Sequence, residues 1–321
     1  MKTKISEIES YLPKNIISND YLEKTFDSFS AKKIEKKIGI RNRHIAEVDE
    51  TSLDMAEKVS KKLLADYDKS KVDFLLLCTQ SPDYFLPTSA CILQDRLGLN
   101  RSIGSLDFNL GCSGYIYGLA MAKGLISAYI AKSVLLVTSE TYSKFLKDDD
   151  VANRSIFGDG AAATIIEKSE EENIFEFELG TDGSGFENLI VKNGAMRNRK
   201  LQKTNDDFLY MSGPEIFNFT IENIPLVISN TLAKNNLTME EIDYVIFHQA
   251  NKYMLNYLRK KIKIPKEKFY INMTETGNTV SSTIPIALKD SIDKKVVKKG
   301  DKVLLVGFGV GYSWGGVVIE I

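Results

Sequence analysis

The chain has 321 residues, 43% hydrophobic and 26% charged, the balance of an ordinary soluble globular protein. That length accommodates two packed half-domains or one large α/β unit. A net charge of −1 supplies no field to attract nucleic acid or an anionic membrane, and neither is expected as a partner.

The opening residues, Met1-Lys-Thr-Lys-Ile-Ser-Glu7, carry charges where a secretion signal needs an apolar run. No stretch is long and apolar enough to span a bilayer, so a cytoplasmic address is expected. Asp73-Phe-Leu-Leu-Leu-Cys78 is the first short, continuously apolar run, the pattern of a strand buried on both faces. A helical stretch from Pro87 to Leu97 follows, then an apolar run from Ile103 to Leu110. A helix rich in small and apolar residues spans Ser113 to Ala131 and leads to a strand, Ser133-Val-Leu-Leu-Val-Thr138. The charged segment Glu167-Lys-Ser-Glu-Glu-Glu-Asn173 reads as a surface crossing. Beyond it lie a helix from Pro214 to Lys234, the strand Asp243-Tyr-Val-Ile-Phe-His248 and a helix from Asn251 to Lys263. A helix from Ser281 to Asp293 and the strand Asp301-Lys-Val-Leu-Leu-Val306 complete the alternation, which defines an α/β protein.

The runs come in matching pairs. Asp73-Phe74 returns as Asp243-Tyr244, 170 residues on, and Val134-Leu-Leu-Val137 as Val303-Leu-Leu-Val306, 169 residues on. Gly160-Ala-Ala-Ala-Thr-Ile-Ile-Glu167 has a looser echo in Gly315-Gly-Val-Val-Ile-Glu320. Matches this short also arise by chance, because buried strands draw on few residue types. Nearly equal offsets favour an internal duplication, with one half over residues 1–170 and the other over 171–321. In that register the loop Gly111-Cys112-Ser113-Gly114 is matched by Gly277-Asn278-Thr279-Val280-Ser281-Ser282, each at a helix start. Packing about a pseudo-twofold axis would bring the two starts face to face. His248 ends a strand of the second half, at the sheet edge where ligands bind in open α/β proteins.

Three cysteines (Cys78, Cys91, Cys112) in so long a chain do not form a disulfide framework, and none stands in CxxC spacing. Two histidines, His44 and His248, with no paired Cys/His spacing, do not make a zinc site, and no metal is expected. Cys112 lies between glycines at a strand-to-helix turn, where free backbone N–H groups favour a thiolate. The expectation is a thiol drawn about a unit or more below its usual ~8.5, able to accept an acyl group as a thioester. The alternative is a small buried cysteine, the default for Cys78 in its strand and Cys91 in its helix. His248 alone reads equally as a satisfied core histidine, and Asn278 alone as a turn or N-cap residue. His44, in Arg41-Asn42-Arg43-His44, reads as a surface residue of a basic loop.

Five segments occur in order: Asp107-Phe-Asn-Leu-Gly-Cys112-Ser-Gly, Phe157-Gly-Asp-Gly-Ala161, His248-Gln-Ala-Asn251, Gly277-Asn-Thr279 and Gly307-Phe-Gly-Val-Gly-Tyr-Ser-Trp-Gly315. Together they resemble the β-ketoacyl-[acyl carrier protein] synthase III family, initiating condensing enzymes of the thiolase superfamily, from about Ile5 to the C-terminus. The resemblance implies a thiolase fold, two duplicated βα halves in a five-layer αβαβα sandwich. It implies that Cys112 takes an acyl primer from a thioester, and that His248 and Asn278 bind the carbonyl of a malonyl thioester as it loses CO2. The acyl-enzyme oxyanion would be met by the backbone N–H of Cys112 and one from the loop of Gly309, Val310 and Gly311. No metal or redox cofactor is called for. Acyl carrier protein is the implied partner and an acyl thioester, of coenzyme A or carrier protein, the implied donor. Gln249, Lys252, Lys260 and Lys261 are candidate carrier-protein contacts, beside a second basic cluster of Lys32, Lys33, Lys36 and Lys37. A homodimer is implied too, with Leu86, ahead of Pro87-Thr88, lining the partner's acyl pocket.

The family's adenine-sandwiching tryptophan and arginine fall, without gaps, on Lys33 and Val151, with Arg154 nearby. That departure favours a primer delivered on carrier protein over one delivered on coenzyme A. Two other readings compete: transfer of the acyl group to an oxygen or nitrogen nucleophile, and an inactive partner-binding relative. The paired His248 and Asn278 favour condensation, since simple transfer needs no enolate site.

Overall fold

Each apolar run folds as a strand whose alternate side chains enter different layers. In a computed structural model, which describes residues 1–198 and 204–321, the strands are β1 (Lys2–Tyr11), β2 (Phe74–Cys78), β3 (Gly104–Phe108), β4 (Ser133–Glu140) and β5 (Gly160–Ser169). They form one sheet in the order β1-β5-β4-β2-β3. A second sheet contains β6 (Glu178–Thr181), β7 (Tyr244–Phe247), β8 (Lys302–Gly309) and β9 (Ser313–Glu320), in the order β7-β8-β9-β6.

The two sheets repeat one design. Parallel pairing sets Phe74 opposite Val134 in the first and Tyr244 opposite Val303 in the second. An antiparallel neighbour follows in each, Ser133 facing Glu167 and Lys302 facing Glu320. The repeated aspartate does the same work twice: Asp73 accepts from the Ser133 N–H at 3.2 Å, and Asp243 from the Lys302 N–H at 2.8 Å. The counterpart of β3 is reduced to a single bridge between Val245 and Phe269.

Seven helices matter for the site: α1 (Ala31–Ile38), α2 (Ser52–Leu64), α3 (Ser89–Arg96), α4 (Gly114–Ser127), α5 (Gly213–Lys234), α6 (Lys252–Ile262) and α7 (Thr283–Asp293). Helices α2 and α3 cover the outer face of the first sheet, α5 and α6 that of the second, and α4 and α7 lie between the sheets. Side chains sort accordingly. Leu75, Leu77, Leu135 and Val137 pack outward onto α2 and α3, while Leu76, Val134 and Leu136 pack inward onto α4. In the second sheet Val245, Phe247, Leu304 and Val306 face outward, and Ile246, Val303 and Leu305 inward. Each such side chain contributes roughly 1.5–3 kcal/mol by leaving water, so a polar residue on either face is disfavoured.

The motifs also fix element ends. Asp107, in the segment leading to Cys112, accepts from the Ser89 and Ala90 N–H groups at 2.6 Å and so caps α3. Asn251 caps α6 through the Met254 N–H, at 2.9 Å. Helix α2 is absent from the sequence reading, and three further features differ from it. Helix α4 ends at Ser127 rather than Ala131, because Tyr129 turns to a positive φ of 62°. Helix α7 is preceded by a tight turn over Val280–Ser282. The strand β1 has no continuous apolar run, because it is an edge strand with Lys2, Lys4 and Glu7 exposed, paired in the sheet only to β5.

Candidate active site

The loop 111–113 follows β3 and opens α4, at the middle of the molecule. Cys112 is 6% exposed and sits in an apolar cluster with Tyr142, Leu146, Phe157, Leu189, Leu209 and Val280. The second sheet comes very close to it. A side chain on Gly309 would lie 2.9 Å from the Cys112 Sγ, and one on Gly307 would lie 3.0 Å from the Cys112 carbonyl oxygen, so only glycine fits at either. The backbone N–H groups of Val310 and Cys112 act on the sulfur, favouring its thiolate. Gly311, at φ 138°, turns the chain after them.

The thiol itself is not acidified. Burial, then the charge of Glu140, push the Cys112 thiol up to about 12, against the smaller pull of the two amides. This reverses the expectation from the helix start alone. That reading counted the N–H groups but could not see the apolar cluster around the sulfur. Glu140, which ends β4, is itself fully buried and pushed up to about 8 by burial. It accepts from the Gln80 N–H, the Ser81 hydroxyl and the Ser281 hydroxyl, at 3.0–3.1 Å.

His248 follows β7 with its N–H bonded to the Val306 carbonyl, which fixes the ring at the sheet's end. Burial lowers its pKa to about 3, so the ring is neutral at physiological pH. The Thr283 hydroxyl, at the first turn of α7, lies 2.7 Å from Nδ1. That hydroxyl also lies 3.0 Å from the Val280 carbonyl; when its proton turns to Nδ1 instead, the ring's own proton sits on Nε2, which is then a donor. Asn278 is held at both backbone ends by the first half: its N–H donates to the Ile156 carbonyl and its carbonyl accepts from the Gly158 N–H. Its Oδ1 accepts from the Val280 N–H at 2.9 Å, which aims Nδ2 away from the loop. Nδ2 and His248 Nε2 lie 3.5 Å apart. That is too long for them to satisfy one another and short enough for both to bond one oxygen.

The structure brings Gly309 and Val310 against Cys112 and His248 against Asn278, and Phe157 and Val280 of the Cys112 cluster adjoin the Asn278 loop. Thr283 and Glu140 belong to the site as well and were not singled out from the sequence. An acid at the end of an otherwise apolar strand was the available signal for Glu140; Thr283, one threonine among many, offered none.

Other candidates lie elsewhere. Gln249 cannot touch a carrier protein: it is 2% exposed, donating to the Phe247 carbonyl and accepting from the Asn272 N–H. A polar residue beside a surface helix looked accessible, but its amide stitches the strand end to a neighbouring loop. Lys252 and Lys260 are exposed and, with Lys36, Lys37, Tyr253, Asn256 and Tyr257, line one cleft of about 270 Å³ between α1 and α6. The two basic clusters of the sequence thus form a single surface. Lys261 is turned aside, donating to the Ile221 carbonyl. Leu86 is 87% exposed and outside the Cys112 cluster of its own chain. Arg154, beside Val151, pairs with Asp148 at 3.2 Å. His44 is half-buried against the Pro13 carbonyl, and Arg43 is fully buried, so this segment is not the basic surface loop it resembled. Among the described residues, no three His, Cys, Asp or Glu side chains gather as metal ligands, and no helix is long and apolar enough to cross a membrane.

A buried thiol, with a neutral histidine and an asparagine amide paired beside its cluster between duplicated sheets, defines a condensing-type site on the thiolase fold. Comparison with known proteins agrees. Residues 106–183 match the family model for 3-oxoacyl-[acyl-carrier-protein] synthase III, and residues 232–321 its C-terminal model. β-Ketoacyl-[acyl-carrier-protein] synthase III of Clostridium perfringens is 36% identical, over 97% of each chain. The protein of that name from Streptococcus equi is 36% identical over 99% of each. A solved 3-oxoacyl-(acyl-carrier-protein) synthase III is 44% identical and superposes over the whole of both chains with a TM-score of 0.97. The corresponding Aquifex aeolicus structure is 34% identical, with a TM-score of 0.90 over 99% of this chain and 100% of that one. The chain belongs to the β-ketoacyl-[acyl-carrier-protein] synthase III family.

Proposed function

We propose that the protein extends an acyl primer by decarboxylative Claisen condensation with malonyl-[acyl carrier protein], giving a 3-oxoacyl-[acyl carrier protein]. The observation that carries this is the neutral His248 ring beside the Asn278 amide, with Nε2 and Nδ2 3.5 Å apart, both of which serve as donors in this reading. The Cys112 sulfur attacks the primer thioester and its proton leaves with the displaced thiol. In the second step CO2 departs from the malonyl group and negative charge collects on the thioester oxygen. Two preorganised donors in a dry site stabilise that charge, and one such donor is typically worth ~3–4 kcal/mol. The carbanion then attacks the acyl carbonyl on Cys112, whose oxyanion meets the N–H groups of Cys112 and Val310. The sulfur leaves, takes up a proton and is regenerated. Transfer to an oxygen or nitrogen nucleophile would leave the donor pair without a task.

The same reading divides the labour at residues 170 and 171, with the nucleophile in one half and the donors in the other. The basic cleft between α1 and α6 is suited to the acidic carrier protein. A second copy of the chain covers an apolar hollow of about 210 Å³ lined by Leu106, Met121, Leu125 and Ile130, beside the open edge of β3. Exposed Leu86 would then reach the partner's site. Sedimentation reads a dimer if this is right and a monomer if it is not.

The deciding experiment incubates the protein with labelled malonyl-carrier protein and a panel of acyl thioesters, following intact mass, CO2 and products. Acyl-enzyme on Cys112 without CO2 release or a lengthened chain would sink the condensation.

A further inference from the structure

Arg43 is one of the largest fully buried side chains of the protein. A buried cation is costly unless something compensates it, and a carboxylate is the usual partner. Here every hydrogen bond it makes among the described residues goes to a neutral oxygen. Nε and Nη2 both donate to the Ser155 carbonyl, at 3.0 and 2.7 Å. Nη2 also donates to Asn19 Oδ1 at 2.5 Å, and Nη1 to the Ile17 and Arg41 carbonyls at 3.4 and 3.3 Å. Burial brings its pKa down to about 10, which leaves it charged at neutral pH.

The placement of those bonds is informative. Ser155 is the root of the segment 156–158, and that segment holds both backbone groups of Asn278, by the Ile156 carbonyl and the Gly158 N–H. The stem of Arg43 also lies against this junction. A side chain on Gly277 would be 3.0 Å from Arg43 Cγ, and one on Gly158 would be 3.4 Å from its Cβ. The same segment carries Phe157 into the cluster around Cys112. On the near side, the His44 carbonyl accepts from the Asp159 N–H and the Ala46 N–H donates to Asp159 Oδ2, both at 2.8 Å.

We propose that Arg43 is a positioning residue for the decarboxylation step: its guanidinium clamps the Ser155 carbonyl and so sets where the Asn278 carboxamide stands. The inference rests on the reading of Asn278 as a donor to the malonyl thioester. Cys112 is anchored by the helix start and the 307–311 loop and meets the clamped segment only through the Phe157 ring, so its acylation depends on the clamp far less than the Asn278 carboxamide does. A lysine at position 43 keeps the charge but cannot fork onto one carbonyl while reaching Asn19.

The test compares the full-length protein with Arg43→Lys, and with Asn19→Ala as a milder loosening of the same clamp. Acylation of Cys112 is read by intact mass, and CO2 release from labelled malonyl-carrier protein is expressed per acylatable enzyme. The expected result for Arg43→Lys is a fall in CO2 release per acylatable enzyme on the order of tenfold to a hundredfold, as for a small misplacement of a reacting group. Acylation stays within about twofold of the parent, and KM for malonyl-carrier protein is little changed, as an interaction made only in the transition state requires. Asn19→Ala falls in the same direction by less, and decides the matter should Arg43→Lys not fold. A parallel fall in both steps marks a merely structural role and overturns the proposal, as does an unchanged ratio. A parent protein that acylates but releases no CO2 overturns the reading of the Asn278 site and this inference with it. A parent that releases CO2, with variants at the parental ratio, overturns this inference alone.

Discussion

His248 and Cys78 stand 170 residues apart, at the ends of equivalent strands in the two sheets, and they have opposite fates. Cys78 is fully buried, its thiol donating to the Leu110 carbonyl at 3.0 Å and filling the space where a side chain on Gly114 would sit. Burial pushes its pKa well above the usual range, so it stays an inert thiol. His248 is equally buried, yet its ring opens beside Asn278 and is braced from behind by Thr283. One frame therefore does packing in the first half and chemistry in the second. What differs is the residue at the strand end and the loop that faces it. The reverse holds at the helix starts: the first half presents a sulfur with two amides, the second an amide side chain.

That division can be broken step by step. The largest effect is expected from Cys112→Ala, which leaves no thiol to carry the primer; intact mass should show no acyl adduct from any thioester. Asn278→Ala should spare that adduct and slow CO2 release by about 10²–10³, the loss typical of one oxyanion donor. Equal damage to both steps by Asn278→Ala would mean that the two halves do not divide the reaction.

Thr283→Val examines the brace behind His248. Removing the hydroxyl leaves Nδ1 without its partner and releases the ring to the other tautomer. Decarboxylation should fall by about tenfold, the value of one lost hydrogen bond in a buried site, with acylation intact. Decarboxylation kinetics at parental rate would show that Thr283 does not set the ring.

Much of this comparison was legible in the chain. Strand ends at Asp73 and Asp243, the matched loops at Cys112 and Asn278, and the buried runs all follow from spacing, because strands buried on both faces leave an unmistakable apolar signature. The edge strand β1 left none, since exposed Lys2, Lys4 and Glu7 interrupt any apolar run along it. Site residues that act through chemistry alone were readable as a motif. Those that act through position were not. Thr283 matters because a turn of α7 brings it under an imidazole, and Gln249 fails as a docking residue because a loop from residue 272 covers it. The acidity of Cys112 departs from the sequence expectation for a related reason: the helix start is local in sequence, whereas Glu140 and the apolar cluster arrive from far away.

The docking cleft draws on both halves and should yield a smaller effect. Substituting Lys36, Lys37 and Lys260 by glutamine removes charge without touching Lys252, whose stem packs against Gly39. KM for malonyl-carrier protein should rise by about three- to tenfold with kcat unchanged, and the difference should shrink as salt screens the parent's attraction. A KM that is unmoved at low salt would place the carrier protein elsewhere.

The most delicate prediction concerns Glu140, which joins the halves by taking the Gln80 N–H from one and the Ser281 hydroxyl from the other. Burial raises its pKa from 4.5 to about 8, so the folded protein keeps a proton that the unfolded chain gives up. Its contribution to stability is therefore complete below about pH 4.5 and is lost as pH rises towards 8, by up to about 1.4 kcal/mol per pH unit. Asp159, raised to about 6 by burial, gives a slope of the same sign but one that is spent by pH 6. Between pH 6 and 8 the slope is mainly that of Glu140. Glu140→Gln, which stays neutral, should flatten the fall in thermal midpoint over that window. It should also move the pH profile of Cys112 alkylation downward, because the charge that raises the thiol is gone. If the variant's thermal midpoint falls as steeply as the parent's between pH 6 and 8, the carboxyl does not titrate there. An alkylation profile that Glu140→Gln leaves unmoved would mean that the thiol owes its elevation to burial alone.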